Sequence, residues 1–334
     1  MNFEMENVKK TIENSKKILI TSHTNCDQDG ICSALATKLI LEKHYQNKEI
    51  VVNIESQLQR NISFLKDFSK IQTENLFKKT KEFKPNLIIF TDGSSFSRFT
   101  SNHSELRKVI EKENIKTILI DHHKTENDFK FDFKYNNLRS SCAEETYHLF
   151  VREMKLQIDF DIAEVIITGM IFDTGVFRYQ NSFFRETANV VADLVEMGIN
   201  IEKILGFKNI YTKKDFEIFT ELNKNLVLKD GYSYSFISDE TFKKTNPSQE
   251  EYKKAYHAWI DLFLRNIEKR PWGFVVRAEG EGKYSVTFRS QKGAQNVRIL
   301  AQKLGGGGHD YASGATLQAK DINSVIEKIM ALLL

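Results

Sequence analysis

Four short runs, Lys17–Ser22, Ile50–Ile54, Leu87–Thr91 and Thr117–Ile120, constrain the fold of this chain more than any other feature. Each carries consecutive apolar residues rather than a strict alternation, so each predicts a strand covered on both faces. Helical periodicity lies between them, over Asp27–Tyr45, with Ala34, Leu35, Leu39 and Ile40 on one face, and over Ser104–Glu113. Apolar strands alternating with helices predict an α/β unit with a mainly parallel sheet flanked by helices. Three of the four runs end in the same chemistry. His23, Asp27 and Asp29 follow the first, Asp92 follows the third, and Asp121, His122 and His123 follow the fourth. In an open α/β sheet, ligands gather beyond the carboxyl ends of the strands. Residues far apart in sequence are therefore expected in one crevice, joined by Asp173 at the end of a helical apolar run.

Taken singly, these residues have ordinary readings. Asp27 and Asp29 would cap the helix that follows them, and Asp173-Thr174-Gly175 would be a turn. Their joint placement at successive strand ends is what argues for a site. The ligand types are carboxylate and imidazole, with no thiolate cluster, which favours Mn²⁺ or a similar divalent ion over structural zinc. Asp27, Asp29, Asp92 and Asp173 would balance the charge of two such ions.

Bulk properties narrow the partners. A chain of 334 residues suits two domains. Apolar and charged fractions of 41% and 28% are those of a water-soluble globular protein. A net charge of +3 lacks the basic excess of a protein that grips long nucleic acid through phosphates. The expected substrate carries one or a few phosphates and is not duplex DNA. Three cysteines, Cys26, Cys32 and Cys142, are too sparse for a disulfide framework and fit a reducing compartment. The polar N-terminus has no signal-peptide core, and no apolar run is of membrane-spanning length, so the cytoplasm is expected, with no membrane partner.

From Ser141 to about Asn225 the pattern is helical, with Thr187–Met197 stopped by Gly198. The last third predicts strands at Tyr232–Ser238, Gly273–Arg277 and Tyr284–Arg289, and helices at Glu251–Ile267 and Val297–Leu304, a smaller mixed α/β module. The expected division is 1–198, a helical linker 199–225, and 226–334. In the last part, Gly305, Gly306, Gly307 and Gly308 precede His309. Four glycines allow close approach of backbone N–H groups to an anion, whereas a plain turn would not need four. Arg289, and Arg98 and Arg178 just after two of the ligand blocks, are further candidate phosphate contacts. Tyr311 and Phe288 are candidates for stacking a base.

His23-x₃-Asp27-x-Asp29, Asp92, Asp121-His122-His123 and Asp173, in that order, resemble the blocks of the DHH phosphoesterase family. Leu304-Gly305-Gly306-Gly307-Gly308-His309, with Ala312-Ser313-Gly314, is similar to the signature of the associated DHHA1 domain. The resemblance spans most of the chain and departs at Cys26, where the family has proline, and at Gly30-Ile31-Cys32-Ser33. It implies one ion on His23, Asp27 and Asp92, and another on Asp29, Asp92, His122 and Asp173, with Asp92 bridging. It implies that Asp121 supports the site and that His123 faces the phosphate. It further implies an active site in a cleft between the two domains, and in-line attack by a metal-activated hydroxide. The group most similar is the nano-RNase/pAp-phosphatase group, which takes RNA of two to five nucleotides, linear pApA and pAp. A cyclic di-AMP phosphodiesterase and a non-enzymatic nucleotide sensor are the alternatives, and two chains pairing as a homodimer fits the same resemblance. Cys26 and Cys32 raise the question of redox sensitivity.

Overall fold

The computed structural model describes residues 3–124, 128–178, 185–208, 211–245 and 255–333. It divides into two compact units, Met1–Ile210 and Tyr211–Leu334. Of the stretch expected to link two domains, one helix, Ile201–Lys208, falls in the first unit and the next, Lys213–Lys224, in the second.

The first unit is built on five parallel strands: β1 (Lys17–Ser22), β2 (Glu49–Val52), β3 (Leu87–Thr91), β4 (Lys116–Ile120) and β5 (Phe133–Tyr135). Their order across the sheet is β2-β1-β3-β4-β5. All the pairings are parallel. The two neighbours of β1 lead in opposite directions, so the strand order reverses between β1 and β3. A reversal of this kind opens a crevice at the carboxyl ends of the two strands.

The consecutive apolar residues of each strand are used on alternate faces. Ile18, Ile20, Leu87, Ile89, Ile118 and Ile120 join one core with helices α2 (Gln28–His44) and α6 (Phe160–Asp173). Leu19, Ile88, Phe90 and Leu119 join another with α3 (Leu76–Phe83) and α4 (His103–Lys112). Helix α2 is buried on all sides from Asp29 to Leu41, as expected of a helix with apolar residues around its whole circumference. Its contact with α6 is close enough to require Gly169. A Cβ there would lie 2.7 Å from the Ala143 Cβ and 2.9 Å from the Cys32 Cβ. Helices α1 (Phe3–Asn14), α5 (Cys142–Tyr147), α7 (Arg185–Glu196) and α8 (Ile201–Lys208) complete the described helices of this unit.

The second unit carries a six-stranded mixed sheet: β6 (Val227–Leu228), β7 (Ser233–Ile237), β8 (Trp272–Gly280), β9 (Lys283–Ser290), β10 (Gly307–His309) and β11 (Ala312–Gln318). Its order is β10-β11-β9-β8-β7-β6. Only the β7–β8 pairing is parallel. Phe274, Val276, Tyr284, Val286 and Phe288 pack on one face against the helices Val297–Lys303 and Ile322–Ala331. Val275 and Ile237 pack on the other against Lys213–Lys224 and the helical residues 255–264. Residues 251–254 of the helix expected at Glu251–Ile267 lie outside the described residues. Among the described residues, no helix is long and apolar enough to cross a membrane.

Candidate metal centre

The chain leaves β1 at Ser22, and His23 follows at once. Asp27 then caps α2, its Oδ1 accepting from the N–H groups of Asp29 at 3.0 Å and Gly30 at 3.1 Å. The cap reading of Asp27 therefore holds, and one oxygen remains beyond it. Asp92 stands directly after β3, Asp121–His123 directly after β4, and Asp173 is the last residue of α6. Three overlapping groups form, each with its ligand atoms within 4.8 Å of one another: His23, Asp27 and Asp92; Asp29, His122 and Asp173; Asp92, His122 and His123. The sheet's switch point brings together all six carboxylate and imidazole candidates, and His123 with them.

Asp92 is central. Its Oδ2 lies 3.6 Å from His23 Nε2, and its Oδ1 lies 3.4 Å from His122 Nε2 and 3.7 Å from His123 Nδ1. The residue is 2% exposed, and Oδ1 makes no hydrogen bond. Its backbone is in the left-handed region, φ +56°. Such a conformation costs about 1–3 kcal/mol and persists where the surroundings over-determine it. Here the Asp92 N–H donates to the Ile120 carbonyl at 3.0 Å, tying the turn to the adjacent strand. Gly30 makes room for the carboxylate: a Cβ there would lie 3.2 Å from Asp92 Oδ2 and 2.6 Å from Cys26 Sγ.

Neighbours set the ring orientations. His23 Nδ1 is 2.8 Å from the Thr24 carbonyl, which can only accept, so Nδ1 carries a proton and Nε2 is the atom turned to Asp92. His123 Nδ1 donates to Asp121 Oδ1 at 2.8 Å, leaving its Nε2 free, while Asp121 is wholly buried. Asp29 is held in a way the sequence reading missed. Its Oδ2 accepts from the N–H of Cys142 at 2.7 Å and its Oδ1 from that of Ala143 at 3.0 Å, both in the first turn of α5. Ser141 caps that helix, accepting from the Glu144 N–H at 3.1 Å. The spacing Ser141-x-x-Glu144 is a helix-start signal that would have placed donors there.

The crowding polarises the site. Burial alone would raise the Asp92 pKa, but His122 and His23 hold it far below the ordinary carboxylate range. Burial opposes charge on His122, yet Asp92, Asp29 and Asp173 raise its pKa well above 6.5, and His23 is raised likewise by Asp92. Burial, then Asp92 and Asp173, push Asp29 well up. Burial, with Asp92 and Asp27, pushes Asp173 up to about 6 against the pull of His122. Without an ion, protons supply the positive charge these carboxylates require. A buried, ionised carboxylate ringed by imidazole nitrogens and further carboxylates fits a divalent cation.

The remaining candidates fall in different places. Arg98 is exposed beside the first group, its Nη1 donating to Ser94 Oγ at 3.0 Å and its Nη2 lying 3.4 Å from His23 Nδ1. Arg178 is exposed and its Nε donates to the Gly175 carbonyl at 2.8 Å, outside the three groups. Cys26, Cys32 and Cys142 are free, fully buried thiols, and burial pushes each well up, which makes them poor nucleophiles.

In the second unit, Arg289 pairs in register with Ala312, and Ala312 with His309, so these side chains share one face of the sheet. Arg289 Nε lies 3.8 Å from Asp261 Oδ1. Gly307 and Gly308 lie in the edge strand β10, and Gly305 and Gly306 lead into it. Gly305 has φ +80°, a Cβ on Gly306 would lie 2.6 Å from the Ala315 Cα, and one on Gly308 would lie 2.7 Å from the Ser313 Cα. Local packing thus accounts for Gly306 and Gly308 and a positive φ for Gly305, while Gly307 has both open space where a Cβ would stand and no left-handed backbone. Phe288 is in the core and presents no ring to a base.

The chain matches the model of the DHH family, N-terminal domain, over residues 17–170, and that of the DHHA1 domain over residues 235–333. A bifunctional oligoribonuclease and PAP phosphatase NrnA of Mycoplasma pneumoniae is 26% identical over 324 residues, 95% of this chain and 92% of that protein. The protein of the same name from Bacillus subtilis is 26% identical over 320 residues, 93% of each. The solved structure of an exopolyphosphatase-related protein from Bacteroides fragilis superposes with a TM-score of 0.83 at 22% identity, covering 98% of this chain and 95% of that one. The last likeness concerns the fold.

Proposed function

We propose, proceeding from the chain's membership of the DHH family with a C-terminal DHHA1 domain, that it is a metal-dependent phosphoesterase acting on short nucleotides. Its substrates are RNA of two to five nucleotides, linear pApA and pAp, and its products are mononucleotides. The observation that carries the reading is Asp92, a buried carboxylate common to two ligand groups, whose two oxygens face the Nε2 atoms of His23 and His122. The full-length relatives named as oligoribonuclease and PAP phosphatase support the substrate class.

In this reading His23, Asp27 and Asp92 hold one ion, and Asp29, Asp92, His122 and Asp173 hold a second. The all-oxygen-and-imidazole set favours Mn²⁺. When bound, such a pair supplies charge neutralisation at the phosphoryl group and a water acidic enough to act as nucleophile at neutral pH. The protein's own groups do the rest. The first turn of α5 fixes Asp29 through two N–H groups. Asp121 fixes the His123 ring so that Nε2–H, when protonated, donates to a phosphate oxygen or to the leaving oxygen. Arg98 and Arg178, and in the second unit Arg289, His309 and the 305–308 backbone, contact further oxygens of the substrate. A net charge of +3 gives no long basic track, in keeping with a small ligand.

A panel of pAp, pApA, cyclic di-AMP and RNA dinucleotide, incubated with Mn²⁺ and read by chromatography, tests the substrate class. Mononucleotide release from the linear substrates is expected. Turnover of cyclic di-AMP alone would move the assignment to a cyclic dinucleotide phosphodiesterase, and tight binding without turnover would make the chain a sensor.

A further inference from the structure

The face of the second sheet that carries Arg289 and His309 continues into a cavity of about 540 Å³. Register places three rows of side chains on this face. The first holds Arg289, Ala312 and His309. The second holds Thr287, Gly314 and Gly307, and the third Arg277, Ser285 and Thr316. Successive rows are two residues apart along each strand, about 7 Å. The cavity belongs to the second and third rows: Arg277, Glu279, Ser285, Thr287 and Thr316 line it, over Gly306 and Gly314.

The chemistry of the rows differs. The first offers a guanidinium and an imidazole. In the cavity the guanidinium of Arg277 is 9% exposed and neutralised on the spot, its Nη2 donating to Glu279 Oε1 at 2.6 Å while it lies over the Tyr256 ring at 4.8 Å. A phosphate entering there would meet the Glu279 carboxylate as well as His257 and the paired Arg277, whereas the first row presents no carboxylate of its own. What it offers is a carboxylate acceptor, hydroxyls that both donate and accept, and a floor without side chains at Gly314. The Ser285 hydroxyl is buried there beside the Glu279 carboxylate.

We propose that this cavity is a subsite for the uncharged part of a nucleotide, its ribose and base, with the phosphate toward the Arg289–His309 row. Glu279 accepts from ribose hydroxyls or base N–H groups, and Thr287 and Ser285 bond the sugar. The proposal rests on the reading that the protein handles nucleotides, and it gives the sheet a polarity: phosphate at the first row, nucleoside over the next two.

The test is a ligand-observed NMR titration of the full-length protein in EDTA with adenosine 5′-monophosphate and, separately, inorganic phosphate. Wild-type protein is expected to bind the nucleotide at least about tenfold more tightly, the scale of one or two hydrogen bonds to a charged group. Glu279→Gln and Thr287→Val should each shrink that gap while leaving inorganic phosphate affinity within about twofold, with unchanged melting temperature as the check on folding. No gap in the wild type, or a gap that survives in both variants, overturns the proposal. In EDTA the titration reads the subsite whether or not the chain hydrolyses anything, so failure of the substrate panel would sink the catalytic reading alone.

Discussion

Replacing Asp92 by asparagine removes the carboxylate common to two of the ligand groups and changes little else. Asparagine is nearly isosteric and tolerates the left-handed backbone that Asp92 adopts at φ +56°. Alanine there would add a backbone cost of about 1–2 kcal/mol, confounding the result. The lost charge faces His23 Nε2 at 3.6 Å and His122 Nε2 at 3.4 Å, so both proposed ions lose a ligand together. Even partners outside the ligand shell commonly cost about 10–100-fold in affinity or activity. Two sites weakened independently by that factor give about 10²–10⁴ in rate. The assay is metal content by mass spectrometry, mononucleotide release from pApA, and a melting curve for each of wild type, Asp92→Asn and Asp92→Ala. A folded Asp92→Asn protein that retains two ions and turns over within a few-fold of wild type would refute the bridging assignment.

Three further outcomes follow from the same geometry. In the metal-free protein Asp173 titrates at about 6 and His122 well above 6.5, so the folded state holds more protons than the unfolded one across that range. Metal-free stability should therefore fall as pH rises from about 4.5 to 8, while with Mn²⁺, whose binding requires those protons to leave, the slope should flatten or reverse; equal slopes in melting curves would count against the site. The low pKa of Asp92 contributes stability that is lost only at more acid pH, below this window. Gly306→Ala and Gly308→Ala should lower the melting temperature through contact with β11, whereas Gly307→Ala, with room for its methyl, should melt like wild type; a raised KM for pApA in that variant would reveal a ligand role. His309→Ala and Arg289→Ala should keep their metal and raise KM for pApA more than for bis-p-nitrophenyl phosphate, and an equal loss on both substrates would argue against substrate holding.

The parallel sheet was legible because its strands are apolar on both faces. β1 and β3 begin and end where the runs Lys17–Ser22 and Leu87–Thr91 do, and β4 differs by one residue. β5, only three residues and half exposed, carries too little periodicity to detect. The meeting of His23, Asp92 and His122 was foreseeable from strand ends alone, since a parallel sheet with a strand-order reversal has one place for them. The grip of α5 on Asp29 was legible only in part: Ser141-x-x-Glu144 marks a helix start and so its free N–H groups, but nothing in the sequence pairs them with Asp29. The glycine run was legible as composition but not as structure: Gly306 and Gly308 pack too closely on β11 for a Cβ, while Gly305 and Gly307 do not. Cys26 and Cys32 looked exposed to redox chemistry beside a metal block, but the all-round burial of the α2 region encloses both.

The central claim, metal-dependent hydrolysis confined to short substrates, is tested most directly by the initial rate of mononucleotide release from RNA of two, five, ten and fifteen nucleotides. The series is run with Mn²⁺ and again with excess EDTA. The account predicts rates that fall steeply beyond five nucleotides and vanish in EDTA. Rates that hold or rise with length, or that persist in EDTA, would contradict it.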